Sequence, residues 1–100
     1  MAQQRPTAET GETLFARYIG SPVVVDTAGC FVYLGRLVAV TPSELVLADA
    51  DVHDLKEGSS TRDLYILDAR RHGIRENRRE VAIRLDSVLS VSRLEDVILY

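Results

Sequence analysis

The chain has 100 residues, 46% of them hydrophobic and 27% charged, with a formal net charge of −3. This length corresponds to about one domain. The acidic balance argues against a general nucleic-acid or membrane binder, because such proteins usually carry a basic excess. The single cysteine, Cys30, excludes an intramolecular disulfide and a multi-cysteine zinc site. We interpret it as a small buried apolar residue.

The amino terminus combines a polar tail with a short helix. Residues 1–9 are polar, and we interpret them as a flexible tail preceding one domain over residues 10–100. The start has no apolar core like that of a signal peptide, and no stretch reaches the roughly 18 apolar residues of a membrane span. We therefore expect a cytoplasmic protein without membrane contacts. The helix is predicted over residues 10–19, because Leu14 and Tyr18, like Phe15 and Ile19, are four residues apart.

The next segment predicts two strands, "PVVVD" and the long apolar run "GCFVYLGRLVAVT" at residues 29–41. Both faces of the long run are mostly apolar, so we expect it to be covered on both sides. Its alternation places Val40 on the same face as Leu34 and Val38. Gly35 lies in the middle of this run, and glycine weakens a strand interior. Two interpretations are open: Gly35 lets the strand bend so that it serves both halves of a small barrel, or it makes room for a neighbouring side chain.

Three further strands follow. "TPSE" predicts a turn, "LVLADA" a third strand, and "VAIRLDSVLSVSRL" a fourth and a fifth with a short break at "DS". Alternation in the third strand puts Leu45, Leu47 and Asp49 on one side. The apolar end "EDVILY" is expected to pack on its own chain or on a neighbour. The fold predicted is mainly β: a small, strongly bent, five-stranded antiparallel barrel with an amino-terminal helix.

A long polar insertion separates the third and fourth strands, at about residues 51–80. An insertion of this length is too long to be without structure in a compact domain. Ser60 and Asp63 have the spacing of a helix capping box, and Gly73 is a plausible stop. We favour a helix or a strand–helix hybrid here, with an extended hairpin as the alternative because "LYIL" is also strand-like.

The sequence resembles the Sm-like family, which includes the Sm, LSm and bacterial Hfq proteins. The resemblance rests on "LFARYIGSPVVVD", on "GCFVYLGRLVAVTPSELVLADAD" with Tyr33, Gly35 and Leu37 in an aromatic-x-Gly-x-Leu pattern, and on "VAIRLDSVLSVSRL". It implies a bent five-stranded sheet and a ring of six or seven subunits, in which strand four of one subunit pairs with strand five of the next. No proline interrupts "VAIRL" or "VLSVS", so this pairing is compatible with the sequence.

The resemblance fails at the residues with which the family holds a uridine-like base. The turn after the second strand is "TPSE", which lacks the family's stacking residue and its asparagine. After the fourth strand only Arg84 of the family's Arg-Gly pair is present, with Asp86 two residues later. Single-stranded RNA recognition needs a stacking platform and polar groups on the base edge. The resemblance therefore implies the fold without the usual pocket.

Charge is segregated along the chain. The window 62–84 holds seven arginines against four acidic residues, while "DADVHDLKE" at 49–57 is acidic. Arginine favours bidentate pairing with phosphate or carboxylate. One interpretation is a phosphate-binding rim; the other is that these arginines pair with the acidic segment, within a subunit or across an interface. The candidate nucleic-acid-binding residues are Arg70, Arg71, Arg75, Arg78, Arg79 and Arg84.

Other chemistry has little support. Asp49, Asp51 and His53 would share a face of a continued strand and could hold a cation, but we interpret them as a solvated acidic strand end and expect no metal and no cofactor. Neither histidine lies near a patterned nucleophile, and no phosphate-binding glycine loop is present, so we expect no enzyme. Two hypotheses remain: a ring-forming Sm-like protein that binds single-stranded RNA or another polyanion through its arginines, and a homo-oligomeric scaffold for protein interactions that does not bind RNA.

Overall fold

The computed structural model describes residues 14–57 and 61–99. The predicted tail at 1–9 and the start of the predicted helix at 10–19 lie outside these residues. An antiparallel sheet of five strands has the order β4-β3-β2-β1-β5. Its strands are β1 (Pro22–Thr27), β2 (Phe31–Val40), β3 (Glu44–Asp54), β4 (Arg78–Arg84) and β5 (Val88–Arg93). A helix α1 (Arg62–His72) connects β3 to β4, and in the described part of the chain no helix is long and apolar enough to cross a membrane.

The segment before β1 is a helix end. Leu14 and Phe15 are helical and Ala16–Tyr18 form a 3-10 turn. Phe15 and Tyr18 pack against the core under the sheet, whereas Ile19 is 47% exposed. The side chains that dock are thus three residues apart instead of the predicted four.

The predicted closure of the barrel is wrong, because the sheet is open. β5 pairs with β1, from Val23↔Arg93 to Thr27↔Val88, and β4 pairs with β3. Each outer strand therefore has one edge bonded within the chain, and the two remaining edges do not pair with each other in the described residues. The connection between them, the 3-10 turn Leu85–Ser87, leads β5 across to β1 instead of alongside β4.

Two irregularities lie in the β2–β3 ladder. Leu34 pairs with Asp51 and Arg36 with Ala48, so Gly35 faces two residues of β3. Asp49, one of these two, has φ 51°, a conformation that non-glycine residues rarely adopt. This is a β-bulge, which bends a strand and increases its twist. It also removes Asp49 from the face that alternation with Leu47 assigned to it.

Gly35 has a second reason to be glycine. A Cβ placed there would lie 3.1 Å from the Cβ of Ala50 and 3.2 Å from the carbonyl oxygen of Ala48. The second interpretation of Gly35 is therefore the one that the contacts support, since its missing side chain permits a close approach of β2 and β3 beside the bulge. A second register shift lies between Leu37 and Ala39, where Val38 is the extra residue. Because of this shift, the side chain of Val40 lies in the same core as that of Leu37. The predicted placement of Val40 on the same face as Leu34 is therefore wrong.

The sheet has a hydrophobic core on each face. Val23 and Val25 of β1 belong to one core and Val24 to the other, as period-two alternation requires. The first core also holds Leu37, Val40, Leu45, Leu47, Ala50 and Ile83. The second consists of Val24, Val32, Leu34, Ile66, Ala69 and Leu94, with Ile66 and Ala69 supplied by α1. The first half of β2 is thus covered on both sides, as its sequence predicts.

The insertion is shorter than its sequence indicates. β3 continues to Asp54 and β4 begins at Arg78, so the segment between them is 55–77 instead of 51–80. The helix alternative is the one observed. Its cap is Thr61, whose side chain accepts a hydrogen bond from the backbone N–H of Leu64; the predicted partner Ser60 lies outside the described residues.

We predict that Gly35→Val lowers the free energy of unfolding by about 2 kcal/mol, because the added methyl groups would overpack the space between β2 and β3 at this position. Urea unfolding followed by circular dichroism measures this. The matched control is Gly29→Val, since a Cβ at Gly29 meets no atom within 4 Å, and its change is expected to stay within about 0.5 kcal/mol. Equal effects of the two substitutions would contradict the close approach of β2 and β3 at Gly35.

Candidate nucleic-acid interface

Helix α1 is fixed to one face of the sheet by polar contacts as well as by Ile66 and Ala69. The Nε of Arg62 donates to Oδ1 of Asp26 at 2.9 Å, and a second nitrogen of the same guanidinium also contacts that oxygen. The other carboxylate oxygen of Asp26 accepts from Ser90 of β5 at 2.9 Å. One half-buried carboxylate of β1 therefore links the helix to the edge strand β5.

A second contact joins α1 to β3. The ring of Tyr65 stacks on His53 with 3.9 Å between centroids, and its hydroxyl donates to Oδ2 of Asp51 at 2.5 Å. Burial of the ring, followed by this hydrogen bond, raises the pKa of Tyr65. The hydroxyl is thus held in its neutral, donating form, and the helix has a defined position along the sheet.

Three carboxylates of the acidic segment at 49–57 have partners within the chain. Asp49 pairs with Arg36 at 3.4 Å, Asp51 accepts from Tyr65, and Asp54 accepts from the backbone N–H of Lys56 at 2.9 Å. Asp49, Asp51 and His53 do not converge, and within residues 14–57 and 61–99 no three potential ligands could hold a metal ion. Arg62, the first arginine of the basic window, binds Asp26 of β1 instead of the acidic segment.

The six candidate arginines occupy two places and do not form one rim. Five of them surround the end of α1 and the start of β4: Arg70, Arg71, Arg75, Arg78 and Arg79. Arg84 lies at the other end of β4, about 20 Å away at roughly 3.3 Å per strand residue. The Nε of Arg70 is buried and no described residue accepts a hydrogen bond from it.

Asn77 positions the larger group, although its sequence context does not single it out. Its Oδ1 accepts from the backbone N–H of Val52 at 3.0 Å and its Nδ2 donates to the carbonyl oxygen of Val52 at 3.1 Å. The backbone of Asn77 also donates to Ala50. No local pattern could have identified Asn77, because its bonds with Val52 join residues 25 positions apart in the sequence. These bonds fix the start of β4, and hence Arg78 and Arg79, against β3.

The Arg84 end is built from two turns. The backbone N–H of Leu85 donates to the carbonyl oxygen of Ser43 at 2.9 Å, which joins the β2–β3 turn to the β4–β5 turn. Between the turns is an open depression of about 410 Å³ lined by Pro42, Ser43, Arg84, Leu85 and Asp86. The Arg84 side chain is 82% exposed and pairs with Asp86 at 2.7 Å. This depression offers a cation and a hydroxyl to a phosphate or base edge, but no aromatic ring on which a base could stack.

Comparisons with known proteins identify the fold. No protein-family model and no curated protein sequence matches this chain. Its structure is similar to that of an Sm protein from Pyrococcus abyssii in complex with a uridine heptamer, with a TM-score of 0.54 and 22% sequence identity over 90% of this chain and 99% of that chain. It is equally similar to the SmAP (LSm) protein of Methanococcus vannielii, with a TM-score of 0.53 and 22% identity over 92% of this chain and 99% of that chain. The chain therefore has an Sm-like fold, as its sequence motifs imply.

We predict that Tyr65→Phe lowers the free energy of unfolding by about 1 kcal/mol at pH 7, because it removes the hydrogen bond to Asp51. Since folding raises the pKa of Tyr65, the contribution of its hydroxyl is complete below the unfolded value of about 10 and decreases as the pH rises beyond it. The difference in the free energy of unfolding between wild type and Tyr65→Phe, measured by denaturation at pH 7 and above pH 10, should therefore be smaller at the higher pH.

The control for this experiment is Tyr33→Phe, because the hydroxyl of Tyr33 forms no hydrogen bond within residues 14–57 and 61–99. If the free energy of unfolding of wild type changes with pH in parallel with that of Tyr65→Phe, the contact with Asp51 is not formed.

Proposed function

We propose that the protein assembles into a homo-oligomeric ring, a hexamer or heptamer, by pairing the free edge of β4 with the free edge of β5 on the next copy. The single observation that carries this proposal is the open sheet, in which these two strands each have one edge without a partner in the described chain. An edge strand presents a row of unpaired N–H and C=O groups that another strand can bond. Joining two different edges is a heterologous contact, which closes into a ring when the rotation between copies divides a full turn.

The composition of the two edges supports the same assembly. Neither strand contains a proline, one of the residues with which proteins block edge pairing. Leu89 of β5 is 71% exposed, and such a side chain on an edge strand loses its contact with water when another strand is added. The bulge in the β1–β5 ladder lies between Asp26 and Thr27, where Leu89 is the extra residue of β5, so the strand is regular from Ser90 to Arg93.

We propose further that the ring binds single-stranded RNA or a related polyanion through Arg70, Arg71, Arg75, Arg78, Arg79 and Arg84. Support comes from the similarity to a fold whose representative from Pyrococcus abyssii is in complex with a uridine heptamer, and from the exposure of most of these arginines. Arginine recognises phosphate with a planar set of donors. Repetition around a ring would multiply each contact and thereby strengthen the binding of a long polyanion.

One observation favours a second function, a ring that serves as a scaffold for protein partners and does not bind RNA. Arg84 is already paired with Asp86, and the depression beside it is lined without an aromatic residue. A base bound there would have neither a stacking surface nor an unopposed cation. In the scaffold, the exposed arginines and acidic residues would contact partner proteins.

Assembly predicts a molar mass several times the 11.1 kDa of one chain at micromolar concentration, measured by light scattering after size exclusion. Leu89→Asp should weaken association at least about tenfold, because it places a charge on the edge that pairs. The control is Leu64→Asp, since Leu64 is 60% exposed but belongs to α1 and to neither edge strand. A monodisperse wild-type monomer would refute the ring.

RNA binding predicts that fluorescently labelled oligo(U) or oligo(A) binds at 50 mM salt and that the logarithm of affinity falls linearly with the logarithm of salt concentration. Arg70→Ala with Arg75→Ala tests the larger arginine group, and Arg84→Ala tests the depression. Each variant should reduce both the affinity and the salt dependence, whereas the control Lys56→Ala, an exposed cation outside both places, should change neither. An assembled ring that binds neither oligonucleotide at 50 mM salt would leave the scaffold function.

A further inference from the structure

We infer that the arginines at the start of β4 bind the acidic turn after β5 of the neighbouring copy, and that this contact sets the direction in which the edges pair. The inference rests on the assembly proposed above and adds the residues that specify it. Arg78 and Arg79 are the first two residues of β4 and both are exposed. Glu95 and Asp96 lie in the 3-10 turn Leu94–Asp96 that directly follows β5, and they are exposed as well.

None of the four side chains forms an ion pair with another residue in 14–57 or 61–99. In the part of the chain that the structure describes, the ion pairs involve other residues, and the one hydrogen bond from the Arg78 side chain goes to the backbone carbonyl of Asn77 at 3.0 Å. Two unpaired cations and two unpaired anions thus lie at the ends of the two strands whose edges are free.

The direction of pairing decides whether these charges meet. In an antiparallel pair, the start of β4 lies beside the end of β5, so Arg78 and Arg79 of one copy approach Glu95 and Asp96 of the next. In a parallel pair, the start of β4 would lie beside Val88, next to the existing Arg84–Asp86 pair. Charge complementarity therefore selects the antiparallel arrangement, because interfaces place opposite potentials together and like charges together are costly.

Two neighbouring charges do not cancel this arrangement. Arg93, at the end of β5, is directed to its own chain, where it donates to the carbonyl oxygen of Arg17 at 2.9 Å and lies 4.8 Å from the centre of the Tyr18 ring. Glu80 lies further along β4, opposite Ala48 of β3. The cationic pair thus occupies the extreme end of the edge, and the acidic pair lies just beyond the end of the other.

This contact gives Arg78 and Arg79 a role in assembly. Arg70, Arg71, Arg75 and Arg84 then remain for the polyanion. The sequence interpretation in which arginines pair with carboxylates thus applies across the interface and to a different acidic segment, the turn at 94–96 instead of residues 49–57.

Charge reversal tests the contact on the full chain. Arg78→Glu with Arg79→Glu makes both ends of the interface acidic, and Glu95→Arg with Asp96→Arg makes both basic. Each double variant, analysed by light scattering after size exclusion, should associate at least about tenfold more weakly than wild type. Mixed in equal amounts, the two variants should assemble, because an acidic β4 end then meets a basic turn and a basic β4 end meets an acidic turn. Only rings with an even number of subunits satisfy every interface in such a mixture.

Lys56→Glu with Glu57→Arg serves as the control, since it reverses two exposed charges in the turn after β3 and should leave assembly unchanged. Circular dichroism establishes that every variant is folded. Double variants that assemble like wild type, or a mixture in which the two variants form no complex with each other, not even an open oligomer, would overturn the inference while the wild-type ring stands. A wild-type monomer would instead remove the assembly on which it rests.

Discussion

The structure depends on the backbone hydrogen bonds of one open sheet. Buried N–H and C=O groups need partners, and β1, β2 and β3 obtain them on both sides because each lies between two other strands. β4 and β5 obtain them on one side only. Their outer edges are therefore available to another strand, and both the proposed ring and the proposed charge contact rest on this arrangement.

The insertion helix packs on one face of the sheet and is linked to an edge strand. α1 covers Val24, Val32 and Leu34 on one face, while Arg62 and Asp26 connect it through Ser90 to β5. Asn77 holds the start of β4 against β3. Each outer strand is thus held to the rest of the chain by a polar contact, β5 through Ser90 and β4 through Asn77.

Much of the fold follows from the sequence, because β-branched runs such as "PVVVD" and the alternating "VAIRL" specify strands locally. Gly35 also indicates the position at which β2 and β3 approach each other closely. Alternation fails where a bulge changes the register, at Val38 and Asp49, since a bulge depends on the pairing of two strands and not on either alone. The open sheet could not be read from the sequence for the same reason.

The candidate site was harder to predict than the fold. Composition identifies the arginines, but it does not show that β4 separates them into two groups. It also does not show that Asp49 pairs with Arg36 and Asp51 with Tyr65, so that these carboxylates are not partners of the candidate arginines. The contact between Arg62 and Asp26 joins residues 36 positions apart, and no local pattern indicates such a pair. Long-range placement of charge is what the sequence leaves open.

The most direct test of the central claim is amide hydrogen exchange in β4 and β5 as a function of protein concentration. If the two edges pair between copies, outward-facing amides of Val81–Ile83 and Leu89–Val91 will be protected at high concentration and will exchange faster on dilution. Amides in these strands that exchange at the same rate at every concentration, as fast as those of exposed turns, would contradict it.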